Sequence, residues 1–157
     1  MKLFLVRHGD YVEERVDPRC PLSPKGRADI ARMASFLKQA GFSVDNLYHS
    51  GKTRAIESAQ ILQQTINPQA LIEQKKYLAP DDSVDEIIYD VASWKKNSMV
   101  VGHMPFLARL IARLVIQDER KAIISLPTSA VVILENDRDQ NWYIVGFITA
   151  QIVIKNV

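Results

Sequence analysis

Leu3-Phe4-Leu5-Val6 is an unbroken apolar run that ends at once in Arg7-His8-Gly9. A run of this kind, bounded by polar residues and lacking the alternation of a half-solvated strand, predicts a strand buried on both faces. A strand of this kind is at home in an open α/β sheet. Ligands of open α/β sheets bind beyond the carboxyl ends of the strands, where Arg7, His8 and Gly9 fall. Arg7 brings a permanent planar cation, and Gly9 lacks the Cβ that would hold a ligand or the backbone at a distance. Together they suit a phosphoryl group, although a strand end with a solvated Arg7 and a packed His8 fits the same three letters.

The elements that follow alternate. Asp10 to Pro21 is too charged and Pro-broken for a regular element. Ser23 then caps a helix with Pro24 at its first position, Ile30, Met33, Ala34 and Leu37 on one face, and Gly41 at its stop. A short strand within Val44 to Ser50 leads to a helix from Arg54, striped with Ala55, Ala59, Leu62 and Ile66 and ended by Asn67-Pro68. Ala70 to Pro80 has no clear pattern. Val84, Ile87, Ile88 and Val91 mark a third helix, for which Ser83 and Glu86 predict a capping box. A strand from Asn97 to Val101 meets Gly102-His103-Met104-Pro105 and a helix with Leu107, Leu110, Ile111 and Leu114 inward. Ala130 to Leu134 and Trp142 to Ile148 read as a hairpin around Asn136-Asp137-Arg138-Asp139.

Chemistry-bearing residues gather at the strand ends. Lys52 and Arg54 open a helix, where the dipole disfavours cations unless an anion binds or water solvates them. His103 repeats the first junction's arrangement of a histidine beside a glycine. His49 has two readings, a packed or hydrogen-bonded side chain and a substrate contact. The hydroxyls of Pro127-Thr128-Ser129 suit either turn bonding or a phosphate oxygen. Asp81 and Asp82 are candidate general acids, and helix capping accounts for the same local acidity.

Several classes are disfavoured. A net charge of +2 with acids and bases interspersed gives no basic stripe for nucleic acid. Cys20 is alone and can form no internal disulfide, no signal-peptide pattern opens the chain, and no apolar run approaches the ~20 residues that span a bilayer. A cytoplasmic protein without membrane contact is expected. Gly51-Lys52-Thr53 lacks the first glycine of a Walker A loop, because Asn46 stands there. Cys20 lacks the arginine of a cysteine-phosphatase loop, because Gly26 stands at that spacing. Three histidines without ligand spacing predict no metal and no cofactor.

Arg7, His8, Arg54 and His103 lie at three separate junctions that one edge of a parallel sheet can bring together. Neutral imidazole is a nucleophile near pH 7, its ordinary pKa being about 6.5. Two guanidinium forks and a second imidazole can grip and stabilise a transferring phosphoryl group.

The ordered set resembles the histidine phosphatase superfamily, which an Arg-His-Gly strand end marks. The likeness rests on Arg7-His8-Gly9, Leu22-Ser23-Pro24-Lys25-Gly26, Ser50 through Arg54-Ala55 with Ser58-Ala59, and Val101-Gly102-His103. Arg7-His8-Gly9-Asp10, Leu78-Ala79-Pro80 and Pro127-Thr128-Ser129-Ala130 are similar to the small SixA-type phosphohistidine phosphatases. The resemblance implies a phosphoglycerate mutase-like fold over residues 1–157. That fold is a single-domain three-layer sandwich with a mostly parallel central sheet, an antiparallel edge and helices on both faces. It implies transient phosphorylation of His8, a phosphate pocket completed by Arg7, Arg54 and His103, substrate contacts from Gly9 and Met104, and release of phosphate to water. The implied partner is a histidine-phosphorylated protein of a phosphorelay or phosphotransferase pathway; a monomer is the default expectation. Two departures stand out. Ser50-Gly51 replaces the superfamily's usual Ser-Pro, and no glutamate stands where mutase-like members place a proton donor. The missing acid favours a phosphoramidate, whose imidazole leaves more easily than an alkoxide. A small-molecule phosphomonoesterase and a phosphoprotein-binding module with weak or no turnover are the alternatives.

Overall fold

A computed structural model describes residues 1–153 of the chain. Its six strands are β1 (Lys2–Arg7), β2 (Asn46–His49), β3 (Leu71–Gln74), β4 (Ser98–Gly102), β5 (Val131–Asn136) and β6 (Trp142–Ile148). The helices are α1 (Pro24–Gln39), α2 (Thr53–Ile66), α3 (Asp85–Ser93), α4 (Phe106–Ile116) and α5 (Ala150–Val153). The sheet order is β3-β2-β4-β1-β5-β6. The pairs β3/β2, β2/β4 and β4/β1 are parallel, and the hairpin β5–β6 adds to β1 antiparallel. The expected mixed sandwich is therefore present.

β1 is central and buried on both faces, as its four apolar residues predict. Leu3 and Leu5 pack with Val100, Val132 and Leu134 against the inner faces of α3 and α4. Phe4 and Val6 point the other way, packing with Leu47, Met99 and Val101 against α1 and α2. Fully burying each such side chain contributes about 1.5–3 kcal/mol.

Caps set the helix limits. Ser23 Oγ accepts the Gly26 N–H (3.0 Å) and donates to Asp10 Oδ2 (2.6 Å), so the cap of α1 also anchors the loop after β1. Gly41, at φ +78°, closes the other end. Two sequence expectations fail. β3 lies in the stretch read as patternless, because an edge strand paired only with β2 has three exposed residues in four and shows no apolar alternation. The Ser83–Glu86 capping box does not form. Val84 takes the cap position in helical conformation, and Ser83 Oγ instead accepts the Asp85 N–H (3.2 Å). Among the described residues no helix is long and apolar enough to cross a membrane.

Register does the positioning. Arg7 pairs with Gly102 and His49 with Val101, so β1, β2 and β4 end at one level and deliver His8, Ser50 and His103 to the same edge.

Candidate active site

His8 leaves β1 with its N–H donated to the Gly102 carbonyl (3.1 Å), and its carbonyl shares the Ser129 N–H with that of Arg7, both at 3.1 Å. The ring is 3% exposed. Nδ1 lies 2.8 Å from the Gly9 carbonyl, which can only accept, so Nδ1 carries the proton. Nε2 is then the free lone pair, and Arg54 Nε donates to it at 3.3 Å. Burial first, and then Arg54 and Arg7, push the His8 pKa down to about 4, against the Gly9 hydrogen bond and Asp10. Near pH 7 the ring is neutral.

The His103 ring packs against His8, centroids 4.9 Å apart. Ser50 Oγ sits 2.6 Å from His103 Nε2 and also accepts the Lys52 N–H (3.3 Å), which leaves the Ser50 proton to donate to the imidazole. In the tautomer that takes this proton, Nδ1 of His103 bears hydrogen, and it is buried with no partner among the described residues. An anionic oxygen would satisfy that donor. Burial, followed by His8, Arg54, Lys52 and Arg7, drives the His103 pKa to about 3.

The cations come from different elements. Arg7 Nη1 donates to the Leu126 carbonyl (2.8 Å) while its Nε is buried and has no partner among the described residues. Arg54, in the first turn of α2, lays its guanidinium 4.5 Å over the Tyr11 ring. Ser58, one turn on, accepts the Gly9 N–H (3.0 Å) and donates to the Arg54 carbonyl (2.7 Å), tying the His8 loop to α2. A Cβ on Gly9 would lie 2.9 Å from Gly26 O and Leu22 Cδ2, so its bareness admits the first turn of α1. Gly51 adopts φ +85°, a conformation closed to the proline usual in the superfamily and natural for glycine.

The other candidates make different contacts. Met104 is half-buried and packs onto the core beneath α4. Asp81 is exposed, and the Asp82 carboxylate accepts the Ala79 N–H (2.7 Å) within the turn before α3. Neither hydrogen-bonds or ion-pairs with His8, Arg54 or His103 among the described residues. His49 Nδ1 accepts the Gly51 N–H (3.1 Å), the packed and bonded reading. Lys52 caps α2 through backbone alone and is exposed. Ser129 places its N–H on the strand end, with its hydroxyl buried and without a partner among the described residues. Sequence reasoning assigned no role to Tyr11; an aromatic three residues after His8 in a charged loop was the available signal. An open cleft of ≈ 560 Å³ adjoins the cluster, lined by Tyr11, Glu13, Arg19, Lys52 and Arg54 among others. Among the described residues no group of three His, Cys, Asp or Glu is placed to hold a metal.

The arrangement couples a neutral imidazole lone pair to two guanidinium groups that no carboxylate neutralises among the described residues. A phosphoryl oxygen is a better acceptor than imidazole for the Arg54 N–H. Its arrival would take that donor over and free Nε2 for attack.

The fold is similar to that of several solved phosphatases. The protein histidine phosphatase SixA complexed with tungstate superposes with a TM-score of 0.87 at 21% identity, covering 98% of this chain and 99% of that one. The α-ribazole phosphatase of Shigella flexneri gives 0.80 at 16%, covering 96% and 97%. The phosphoserine phosphatase of Entamoeba histolytica, in complex with 3-phosphoglyceric acid, gives 0.69 at 15%, covering 97% and 98%. At such identities the likeness is one of fold. No curated protein matches the chain. Residues 3–79, which hold Arg7-His8-Gly9, the cap of α1 and Arg54, match the histidine phosphatase superfamily (branch 1). The first half of the chain thus matches the histidine phosphatase superfamily, and it is set in an architecture that these phosphatases share.

Proposed function

We propose that the chain is a protein phosphohistidine phosphatase that passes the phosphoryl group through His8. Arg7, Arg54 and His103 hold its oxygens, Gly9 and Met104 border the pocket, and the pocket's positive charge comes from guanidinium groups. One observation supports this substrate above others. The histidine and arginine side chains are assembled with no carboxylate bonded to them among the described residues, which suits a leaving group that needs little help from an acid. In the first step His8 Nε2 forms a bond to phosphorus. The bond from phosphorus to the carrier's imidazole breaks as that imidazole takes one proton from water and leaves neutral. Because Nδ1–H stays on the Gly9 carbonyl, the His8 adduct is cationic and its own leaving group is again neutral imidazole. Water then attacks phosphorus, loses a proton to solvent, and releases phosphate. The tungstate held by the SixA structure, a tetrahedral oxyanion, fits the same reading.

The cleft beside Arg54 favours a second reading, a small phosphoester bound there. The test measures phosphate release from a phosphohistidine-bearing carrier protein and from an aryl phosphate, in chelator. It uses the native chain, His8→Ala, Asp81→Asn and Asp82→Asn. Selective release from the carrier that needs His8 and neither aspartate is expected. Efficient ester hydrolysis with the carrier ignored would transfer the assignment to the phosphomonoesterase. Turnover of neither would leave a phosphoprotein-binding module.

A further inference from the structure

We propose that Tyr11 is a positioning residue that holds Arg54 aimed at the phosphate site while leaving its charge intact. The inference rests on the reading of Arg54 as a phosphate ligand. Tyr11 stands in the loop after β1 and touches two members of the cluster. Its ring meets His8 edge to face, with centroids 5.3 Å apart and planes at 75°, and the Arg54 guanidinium lies 4.5 Å over it. Among the described residues Arg54 has no carboxylate partner. A carboxylate could orient the guanidinium, but it would cancel the charge that a phosphate must meet. An aromatic face attracts the cation through its quadrupole and carries no net charge.

The loop that presents Tyr11 is tied to the helix that presents Arg54. Tyr11 bridges Leu22 in antiparallel fashion, and the Leu22 N–H donates to Glu57 Oε2 (2.7 Å), three residues along α2 from Arg54. Ring and guanidinium therefore share one frame. The Tyr11 hydroxyl makes no hydrogen bond among the described residues, so the ring alone carries the function. Because Tyr11 is 38% exposed, its replacement leaves the core unchanged.

The experiment measures binding of inorganic phosphate by calorimetry. It compares the native chain, Tyr11→Phe, Tyr11→Leu, Arg54→Ala and the double variant Tyr11→Leu/Arg54→Ala, with thermal melts of each. Tyr11→Leu is expected to weaken phosphate binding about three- to thirtyfold, and Tyr11→Phe to stay within about twofold of native. Tyr11→Leu should cause no further loss once Arg54 is gone. Native affinity in Tyr11→Leu, an equal loss in Tyr11→Phe, or an undiminished loss in the Arg54→Ala background overturns the proposal while the phosphate pocket stands. Phosphate binding that is absent, or indifferent to Arg54→Ala, overturns the pocket reading and this inference together.

Discussion

Arg54 Nε donates to His8 Nε2 across 3.3 Å, while the other ring nitrogen of His8 faces the Gly9 carbonyl at 2.8 Å. These two contacts assign the tautomer, and the tautomer assigns Nε2 as the nitrogen able to attack. The Arg54 contact is long for a hydrogen bond, so little is lost when a phosphate oxygen replaces the imidazole as acceptor.

The pH dependence of turnover follows from the neutral ring. With burial as the leading cause of a His8 pKa near 4, the proposed nucleophile stays unprotonated well below the ordinary imidazole value of about 6.5. The acid limb of kcat/KM, corrected for ionisation of the substrate, should therefore fall near pH 4. A limb at pH 6 to 7 would show that His8 titrates as a solvated imidazole.

Stability should move with pH in the same sense. His8 and His103 have folded pKa values of about 4 and about 3, below the unfolded value, so between pH 6.5 and those values the unfolded chain binds more protons. Stability is full above pH 6.5 and falls on acidification through that window. Between pH 8 and pH 5 each histidine accounts for about 2 kcal/mol of that loss. Urea unfolding of native and His103→Gln chains at both pH values checks this; the variant should lose less by about that amount.

Gly26→Ala should be among the costliest small substitutions. A Cβ at this position would lie 2.0 Å from the Asp10 carbonyl oxygen and 2.8 Å from two further backbone atoms, none of which can rotate away. We expect a loss of about 3 kcal/mol or more, together with a drop in turnover as the loop behind His8 shifts. A melting temperature within a degree or two of native would refute the steric account.

Ser58→Ala removes one hydroxyl and leaves the buried Gly9 N–H without its acceptor. The expected cost is about 1–3 kcal/mol, with kcat reduced more than KM is raised, because the His8 loop loses its tie to α2. Ser58→Thr, which keeps the hydroxyl, should retain most of the stability; equal losses in both variants would assign Ser58 a packing role only.

Much of this protein was legible before any tertiary structure. The uninterrupted run Leu3–Val6, the Ser23-Pro24 cap and the stripes of α1, α2 and α4 are local signals, because periodicity and capping depend on residues within a turn or two. The ends of β1, β2 and β4 were legible for the same reason, and with them Arg7, His8, Arg54 and His103. What sequence could not express was pairing. β3 became a strand through β2 alone, Ser83 turned from Glu86 to Asp85, and Asp82 spent its carboxylate on Ala79. The contact of Tyr11 with Arg54 and that of Ser58 with Gly9 join segments more than forty residues apart. Local propensity carries no information at that range. Strand order and register decided which side chains share the edge of the sheet, and so which proton sits on which nitrogen of His8.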